Sequence, residues 1–489
     1  MMKNKFLASL LAALSLTTAT AADVLPVTGS WINLFYQDER NKYSNPMDMD
    51  NTDPEMWRAK VREMKGLGIE YIVFMATANE GKADYPSQIM PLGYDSRRES
   101  PVSAIINEAE LAGMKVFMSI GWAENQDDNL RNPAILNRQL AIMGELASLY
   151  GSSKAFYGWY LPVEDCLGPV LTDAAVVAVN KLVERAHKLT PGKKTLISPY
   201  GFFCCRFDDP KFARQIKRLK VDIIAYQDEV GCVREEFPMP RLKNAWHEMK
   251  KIHDTTGIEF WGNCELFSWE KGTNSRESAL VPAAMPRILS QLVAASQGGV
   301  SRIISFMTPG IWSLNSDRYT LGQPEVSHRA ASEYLSWLNG DRTLKLLEQS
   351  LLGKLKGNGA SVTAGTGDAK ALVDGITGDE NPENAAWKRF EAGYNEFTVN
   401  LSATGNSLFL RFLNCHKRGI GIPYKVYLYV ADSKGNYNLH AIKDMSQHPN
   451  SLHDTWIEPL LLEWDSPAKS VKIGLQSTAP LLLDELYVM

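Results

Sequence analysis

The chain of 489 residues contains 52 Lys and Arg, 56 Asp and Glu and 8 His, so its formal net charge is -4, and 45% of its residues are hydrophobic. A small net charge without a cluster of basic residues argues against a protein that binds nucleic acid through its phosphates. The chain is longer than one hydrophobic core usually organises, so at least two domains are expected.

The N-terminal residues have the pattern of an export signal. Lys3 and Lys5 precede an apolar run over residues 6–16 and a group of small residues that ends at Ala22. This pattern predicts a cleaved signal peptide over residues 1–22, with no cysteine after it to carry a lipid. No later stretch reaches the roughly 18 apolar residues that a membrane span requires. We therefore expect a secreted or periplasmic protein without a membrane span.

Beyond the signal, short β-branched or aromatic runs alternate with amphipathic stretches, which is the pattern of strand–helix repeats in a parallel sheet. Eight such repeats predict an α/β fold, a (β/α)8 TIM barrel, over residues 23–345. Several helices begin with Asp before Pro, as at Asp53-Pro54 and Asp209-Pro210, which suits a cap and a first helical turn. The predicted strands are Thr28–Tyr36, Tyr71–Ala76, Lys115–Ile120, Phe156–Leu161, Lys194–Ser198, Asp222–Tyr226, Glu259–Gly262 and Arg302–Phe306.

Acids, amides and aromatic residues follow the predicted strands, at the end of the barrel where catalysis takes place. None of the eight histidines and no lysine closes a strand, which argues against a histidine-ligated metal, a histidine base and Schiff-base chemistry. The loops after the last two strands lack a glycine-rich phosphate nest. The sequence therefore predicts no metal and no cofactor, and a carbohydrate as the partner, because Trp and Tyr stack on sugar rings while acids and amides bind their hydroxyls.

Glu164 and Glu265 form the strongest candidate catalytic pair, because they close the fourth and seventh strands and can face each other across the mouth. Glycoside hydrolysis needs two carboxyl groups beside the bond, one protonated and one ionised. Asp165 and Asp228 are the alternative acids. The predicted substrate-binding residues are Trp31, Asn33, Trp122, Trp159, Tyr200, Tyr226, Gln227, Asn263, Trp269 and Trp312.

The placing of this pair resembles the large clan of retaining glycoside hydrolases, whose acid/base follows strand four and whose nucleophile follows strand seven. The resemblance implies Glu164 as the acid/base and Glu265 as the nucleophile, ionised at neutral pH. The chain departs from the clan at Val163, where the clan typically has Asn. The expected hydrogen-bond donors to Glu265 are Asn263, Tyr200 and Tyr226.

Four motifs resemble those of a bacterial family of glycosidase-like TIM barrels classed as a domain of unknown function. They are Tyr-Leu-Pro-Val-Glu-Asp at 160–165, Ser-Pro-Tyr at 198–200, Ala-Tyr-Gln-Asp-Glu-Val-Gly at 225–231 and Trp-Gly-Asn-Cys-Glu-Leu-Phe at 261–267. The similarity covers roughly residues 25 to 340. It implies a glycosidase-related barrel and names no substrate.

Five of the six cysteines fall just after predicted strands four to seven, and Cys415 stands apart. In an exported protein, one or two disulfides on this rim are expected, with buried free thiols as the alternative. The spacing lacks the C-x₂-C pairs of a Cys₄ zinc site. The five rim cysteines are Cys166, Cys204, Cys205, Cys232 and Cys264.

The helical pattern stops near residue 345, which predicts a linker over 346–367 and a small all-β sandwich, jelly-roll-like, over 368–489. Leu372-Val373-Asp374-Gly375 and the closing Leu483-Asp484-Glu485-Leu486 resemble the galactose-binding-like β-sandwich. The resemblance implies either a carbohydrate-binding domain or one that braces the barrel.

The function that these patterns favour is that of a secreted, retaining glycoside hydrolase of a poly- or oligosaccharide. Two alternatives stay open. One is a glycan-binding barrel whose acids only accept hydrogen bonds from hydroxyl groups. The other is a metal-assisted hydrolase that uses Asp228, Glu229 and the cysteines.

Overall fold

The computed structural model describes residues 24–35, 49–122, 124–125, 130, 132–234, 237–272, 278–314, 324–355, 360–365, 369–445 and 454–489. The predicted signal peptide over residues 1–22 lies outside these ranges. Within them, no helix combines the length and the apolar character that a bilayer crossing requires.

Eight parallel strands close into a barrel, in which each strand pairs with its neighbours in chain order and the first pairs with the eighth. This arrangement confirms the predicted TIM barrel. Each observed strand overlaps its predicted range, and Arg302–Phe306 has the predicted bounds. The strands are β1 (Val27–Ile32), β2 (Tyr71–Phe74), β3 (Lys115–Ser119), β4 (Phe156–Tyr160), β5 (Lys194–Ile197), β6 (Ile223–Gln227), β7 (Glu259–Glu265) and β8 (Arg302–Phe306).

Helices follow the strands and form the outer layer. The caps are those that the sequence predicts: the Asp53 side chain accepts a hydrogen bond from Glu55 N, and the Asp209 side chain accepts one from Lys211 N, each before a proline in the first turn. The helices are α1 (Pro54–Gly66), α2 (Pro101–Leu111), α3 (Pro133–Tyr150), α4 (Asp173–Leu189), α5 (Pro210–Arg218), α6 (Met239–His253), α7 (Met285–Gln297), α8 (Pro324–Leu338) and α9 (Arg342–Leu351).

Side chains alternate between the inside of the barrel and the helix layer along each strand. On β4, Tyr160 belongs to the interior cluster, whereas its neighbour Trp159 packs with the helices. Trp261 of β7 faces the interior in the same way. Because side chains on a strand alternate with a period of two, every second residue that closes a strand reaches the mouth of the barrel.

The C-terminal domain is built on two antiparallel strands of 23 residues each, β11 (Gly393–Cys415) and β14 (Thr455–Ser477). Their pairing changes register between Asn400 and Ser407, and the halves on either side of this point pair with different strands. Side chains from both halves share one hydrophobic cluster, as in a sandwich. The other strands are β9 (Ser361–Gly365), β10 (Lys388–Phe390), β12 (Lys425–Ala431), β13 (Tyr437–Asp444) and β15 (Leu481–Val488).

The stretch predicted as a linker begins inside helix α9. Asp341 caps this helix by accepting a hydrogen bond from Leu344 N, and Leu346 and Leu347 are buried. Strand β9 lies in the second half of the same stretch and pairs with β11. Residues 346–351 and 361–365 of the connection between the two domains therefore belong to regular elements that pack against their neighbours.

Candidate active site

Polar side chains from four strands or strand ends meet at the mouth of the barrel. Gln227 Nε2 donates to Glu164 Oε1 at 3.2 Å and to the Ser198 carbonyl at 2.9 Å. Asn263 Nδ2 donates to Ser198 Oγ at 3.1 Å, and Gln227 lies beside Asn263 in the pairing of β6 with β7. The structure thus links the predicted acid/base Glu164 to the end of β7 through two amides and one serine, of which sequence reasoning missed Ser198.

A cavity of about 960 Å³ opens beside Glu164, between the ends of β3 and β4 and helices α3 and α4. Its wall contains the indole of Trp122, which is almost fully buried, together with Leu136 and Pro162. Asp165 also lines it, and its carboxylate accepts hydrogen bonds from Thr172 Oγ1 at 2.9 Å and from Cys166 N at 3.1 Å. Asp165 therefore holds the loop before α4.

Glu265 is the more enclosed residue of the predicted catalytic pair, with 4% of its surface exposed. Its Oε2 accepts a hydrogen bond from Cys232 N at 2.8 Å, and its own N–H donates to Asp228 Oδ1 at 3.0 Å. Burial, followed by the charges of Asp228 and Glu229, raises the pKa of Glu265 to about 8. This direction of shift disfavours the ionised form of Glu265, so its ionisation at neutral pH stays a prediction.

Two further acids follow β6 and surround Glu265. Asp228 is fully buried, and its Oδ2 accepts a hydrogen bond from Gln291 Nε2 at 2.6 Å. Glu229 has a left-handed φ of 54°, which is rare for a residue other than glycine. Its Oε2 accepts hydrogen bonds from Phe202 N at 2.6 Å and Phe203 N at 3.3 Å, and burial raises its pKa to about 7.

Sequence reasoning considered Glu229 only as a possible metal ligand. The signal that could have identified it is the run Asp-Glu-Val-Gly directly after a strand, because two consecutive acids there must turn to different partners. Asp228 turns outward to α7, while Glu229 turns to the main chain after β5. The alternative proton donor Asp228 is thus a residue that holds the main chain of β7.

Three of the predicted substrate-binding aromatic residues lie in the helix layer, which corrects their expected position. Trp159 Nε1 donates to Thr190 Oγ1 at 2.7 Å, and Tyr226 OH bonds to His253 Nε2 at 2.8 Å. Trp312 stacks on Tyr334 of α8 with ring centroids 4.2 Å apart. Trp159 and Tyr226 are one residue out of phase with the inward-facing positions, so neither ring can reach the mouth.

The remaining predicted residues differ in their access to the mouth. Trp31 packs edge-on against Tyr160 inside the barrel, with centroids 5.6 Å apart. Asn33 is buried, and its Oδ1 accepts a hydrogen bond from Phe35 N at 3.0 Å. Tyr200 is 41% exposed. Trp269 is half-buried on a hairpin after β7, where it packs against Phe267. Trp122 and Tyr200 are therefore the aromatic residues best placed to meet a ligand.

All six cysteines are thiols, so the expected disulfides are not formed in this structure. Cys166 and Cys204 lie on adjacent loops. Two distances show how close these loops are: a Cβ added to Gly168 would come within 2.2 Å of Cys204 Sγ, and one added to Gly201 would come within 2.6 Å of Cys166 Sγ. Burial and the neighbouring Cys166 raise the pKa of Cys204 to about 11. Among the described residues, no group of three His, Cys, Asp or Glu side chains has an arrangement that could hold a metal ion.

Comparison with solved structures finds proteins that this chain resembles in fold. A structure from Bacteroides thetaiotaomicron VPI-5482, described provisionally as an alpha-L-fucosidase, has a TM-score of 0.51 and 19% identity, and the match covers 65% of this chain and 94% of that one. A glycoside hydrolase family 5 protein from Bacteroides vulgatus ATCC 8482 has a TM-score of 0.41 and 10% identity over 92% of this chain and 89% of its own. At such identities the likeness concerns the fold alone.

No curated protein matches the sequence. A family model described as a domain of unknown function, DUF4434, matches residues 27–316. These residues include all eight barrel strands and the four motifs around the mouth. The resemblance to such a family is thereby confirmed, and the chain belongs to the DUF4434 family.

Proposed function

We propose that this protein is an exported glycoside hydrolase that cleaves a poly- or oligosaccharide with retention, with Glu164 as the acid/base and Glu265 as the nucleophile. One observation carries the proposal. Glu164 belongs to a hydrogen-bond network that ends at Asn263, two residues before Glu265 on β7, beside a cavity walled by Trp122. Two carboxyl groups, amides and an aromatic wall are what glycoside hydrolysis requires.

The amides supply the polar contacts that a sugar needs. Asn263 Oδ1 is buried and accepts no hydrogen bond from any described residue. A buried acceptor without a partner is costly, and a sugar hydroxyl would satisfy it. Gln227 Nε2 donates to Glu164 Oε1, so the amide of Gln227 orients the carboxyl group of Glu164 toward the substrate.

The raised pKa of Glu265 sets the condition for attack. A nucleophilic carboxylate must be ionised, and with a pKa of about 8 most Glu265 side chains are protonated at pH 7. The transition state of glycoside hydrolysis carries positive charge on the sugar, which favours the ionised form of Glu265 during the reaction. We therefore expect kcat/KM to rise with pH up to about 8.

The test is hydrolysis of a panel of plant, host and microbial glycans and aryl glycosides, with fucosides included, followed by NMR of the first anomer released. Glu265→Gln should lower kcat by about 10³-fold or more on every substrate, because no covalent intermediate can form. Glu164→Gln should affect poor leaving groups far more than activated aryl glycosides. Glu248→Gln on the outer face of α6 is the control and should have no effect.

Near-normal turnover by Glu265→Gln would refute the assignment, and release of the inverted anomer would refute retention. A glycan-binding barrel is the second candidate, and the enclosure of Glu265, with 4% of its surface exposed, is the observation that favours it. In that case calorimetry would detect binding of a glycan by the wild-type protein, and prolonged incubation would release no product.

A further inference from the structure

An aspartate of the C-terminal domain contacts the barrel at the hairpin after β7 and at helix α7. Asp454, directly before β14, is buried, and its Oδ2 accepts a hydrogen bond from Ser268 Oγ at 2.7 Å and lies 3.3 Å from Arg287 Nε. Its Oδ1 accepts a hydrogen bond from Arg234 Nε at 3.1 Å. Burial raises the pKa of Asp454, but the charges of Arg287 and Arg234 outweigh burial and leave that pKa lowered.

Arg287, the first of the two arginines, holds the main chain of Glu265, the proposed nucleophile. Arg287 has no exposed side-chain surface. Its Nη2 donates to the carbonyl of Glu265 at 3.2 Å and to that of Phe267 at 2.9 Å. Gln291 Nε2 adds a third bond, to the Glu265 carbonyl, at 3.1 Å. The end of β7 is therefore fixed by a guanidinium whose buried charge is balanced by Asp454.

Arg234, the second arginine, holds the loop after β6 that contacts the carboxyl group of Glu265. Arg234 pairs with Asp454 and with Glu380, both from the C-terminal domain, and donates to the Thr455 carbonyl at 2.8 Å. Two residues earlier in the same loop, Cys232 N donates to Glu265 Oε2 at 2.8 Å. One acid of the C-terminal domain thus connects to Glu265 by two routes.

We infer that Asp454 is a positioning residue for Glu265, so that the C-terminal domain completes the active site of the barrel. This inference rests on the proposed function only for the role of Glu265. The structural part is that Asp454 orients Arg287 and Arg234, which in turn hold the main chain and the carboxyl group of Glu265. A barrel without this domain would leave both arginines without their acidic partner.

The experiment uses the full chain with Asp454→Asn, which keeps the shape of the side chain and removes its charge. We expect kcat to fall at least tenfold while KM changes less than threefold, because the substrate contacts on the Glu164 side are untouched. Hydrogen exchange, followed by mass spectrometry, should quicken at least tenfold in peptides that cover 228–234 and 263–268. Glu463→Gln is the matched control, since it removes an exposed ion pair with Arg342 between α9 and the same strand β14.

Arg287→Lys is a second variant, to be used if the Asp454→Asn protein does not fold. Lysine keeps the positive charge, but its single nitrogen cannot lie beside Asp454 and also donate to both carbonyls, so the same loss of kcat is expected with a native unfolding midpoint. Unchanged kcat and unchanged exchange in either folded variant would overturn the inference. If the wild-type protein hydrolyses no glycan, the proposed function fails, while the exchange measurement still decides whether Asp454 holds the Glu265 segment.

Discussion

The two sides of the barrel mouth are built in opposite ways. On the side of β4, Glu164 lines a cavity of about 960 Å³ and accepts a hydrogen bond from the amide of Gln227. On the side of β7, Glu265 is enclosed, and its main chain and carboxyl group are fixed by Asp228, Arg287 and Cys232 N. The difference teaches that one mouth can combine an open side, which has room for a ligand, with an enclosed side, where burial and neighbouring acids raise the pKa of a carboxyl group.

The covering elements explain this difference. After β4 the chain runs to α4 through a loop, and this loop leaves room between α3 and α4. After β7 it forms a hairpin of Phe267–Trp269 with Leu280–Pro282, and Ser268 of that hairpin contacts Asp454 of the C-terminal domain. The second domain therefore closes one side of the mouth and leaves the other open.

The enclosed side should tolerate no added atom. In Gly231→Ala the new Cβ would come within 2.5 Å of the Phe267 carbonyl and 3.0 Å of Glu265 Oε2, so it would displace the loop that contacts Glu265. We expect kcat to fall about 100-fold, since a shift of about 1 Å in a catalytic group has this cost. Gly257→Ala is the matched control, because no atom lies within 4 Å of its new Cβ. Equal kcat values for the two variants would show that catalysis does not need this loop to hold Glu265 in place.

The open side should respond through binding. Trp122→Ala removes the aromatic wall of the cavity, and we expect the folded fraction to show a KM for an oligosaccharide that is about tenfold higher, or ~1.4 kcal/mol, with kcat nearly unchanged. Because the ring is 2% exposed, this variant should also lose unfolding free energy. The comparison is Trp312→Ala, which removes a ring stacked on Tyr334 in the helix layer. That variant should lose about 3–5 kcal/mol of unfolding free energy, and its folded fraction should keep the wild-type KM. A KM effect of Trp312→Ala alone would reverse our view of the two rings.

The charge of the enclosed side can be changed without touching Glu265. Burial first, then the charges of Asp228 and Glu229, raise the pKa of Glu265, so Glu229→Gln should lower that pKa below about 8. If Glu265 must be ionised, kcat/KM at pH 7 should rise severalfold, by at most about tenfold, as the ascending limb of the pH profile moves to lower pH. A profile that instead falls as pH rises through about 8 in the wild-type protein would identify Glu265 as the proton donor.

The cysteines should give the smallest effect on activity. Cys204 is exposed on the open side, and its pKa of about 11 should make its alkylation slow at neutral pH and faster as pH rises. Cys264, buried on β7, should react only after unfolding. Peptide mass spectrometry of the alkylated native protein would measure both, and kcat should change less than twofold. Reaction of Cys204 only after reduction would reveal a disulfide on the rim.

The local pattern of the sequence determined the barrel. Helix α4, Asp173–Leu189, and strand β8, Arg302–Phe306, follow from periodicity and from caps such as Thr172, all of which act within a few residues. Strand β13, Tyr437–Asp444, was missed, because most of its residues are exposed and it lacks a buried alternating face. The alternating runs Glu396–Leu401 and Ser407–Leu413 predict two strands where β11 is one, and Trp456–Glu463 and Val471–Gln476 predict two where β14 is one. The turn-like residues between the halves mark a change of register that leaves the strand continuous.

The tertiary structure alone decided which side chains meet. Trp159 and Tyr226 lie one residue before the ends of their strands, but a shift of one residue turns a ring from the mouth to the helices, and strand parity depends on the closure of the whole barrel. The pKa of Glu265 depends on acids that follow another strand. Arg287, which holds the main chain of Glu265, pairs with Asp454, far along the chain in the C-terminal domain. Burial and charge act through space, so no local pattern in the sequence carries them.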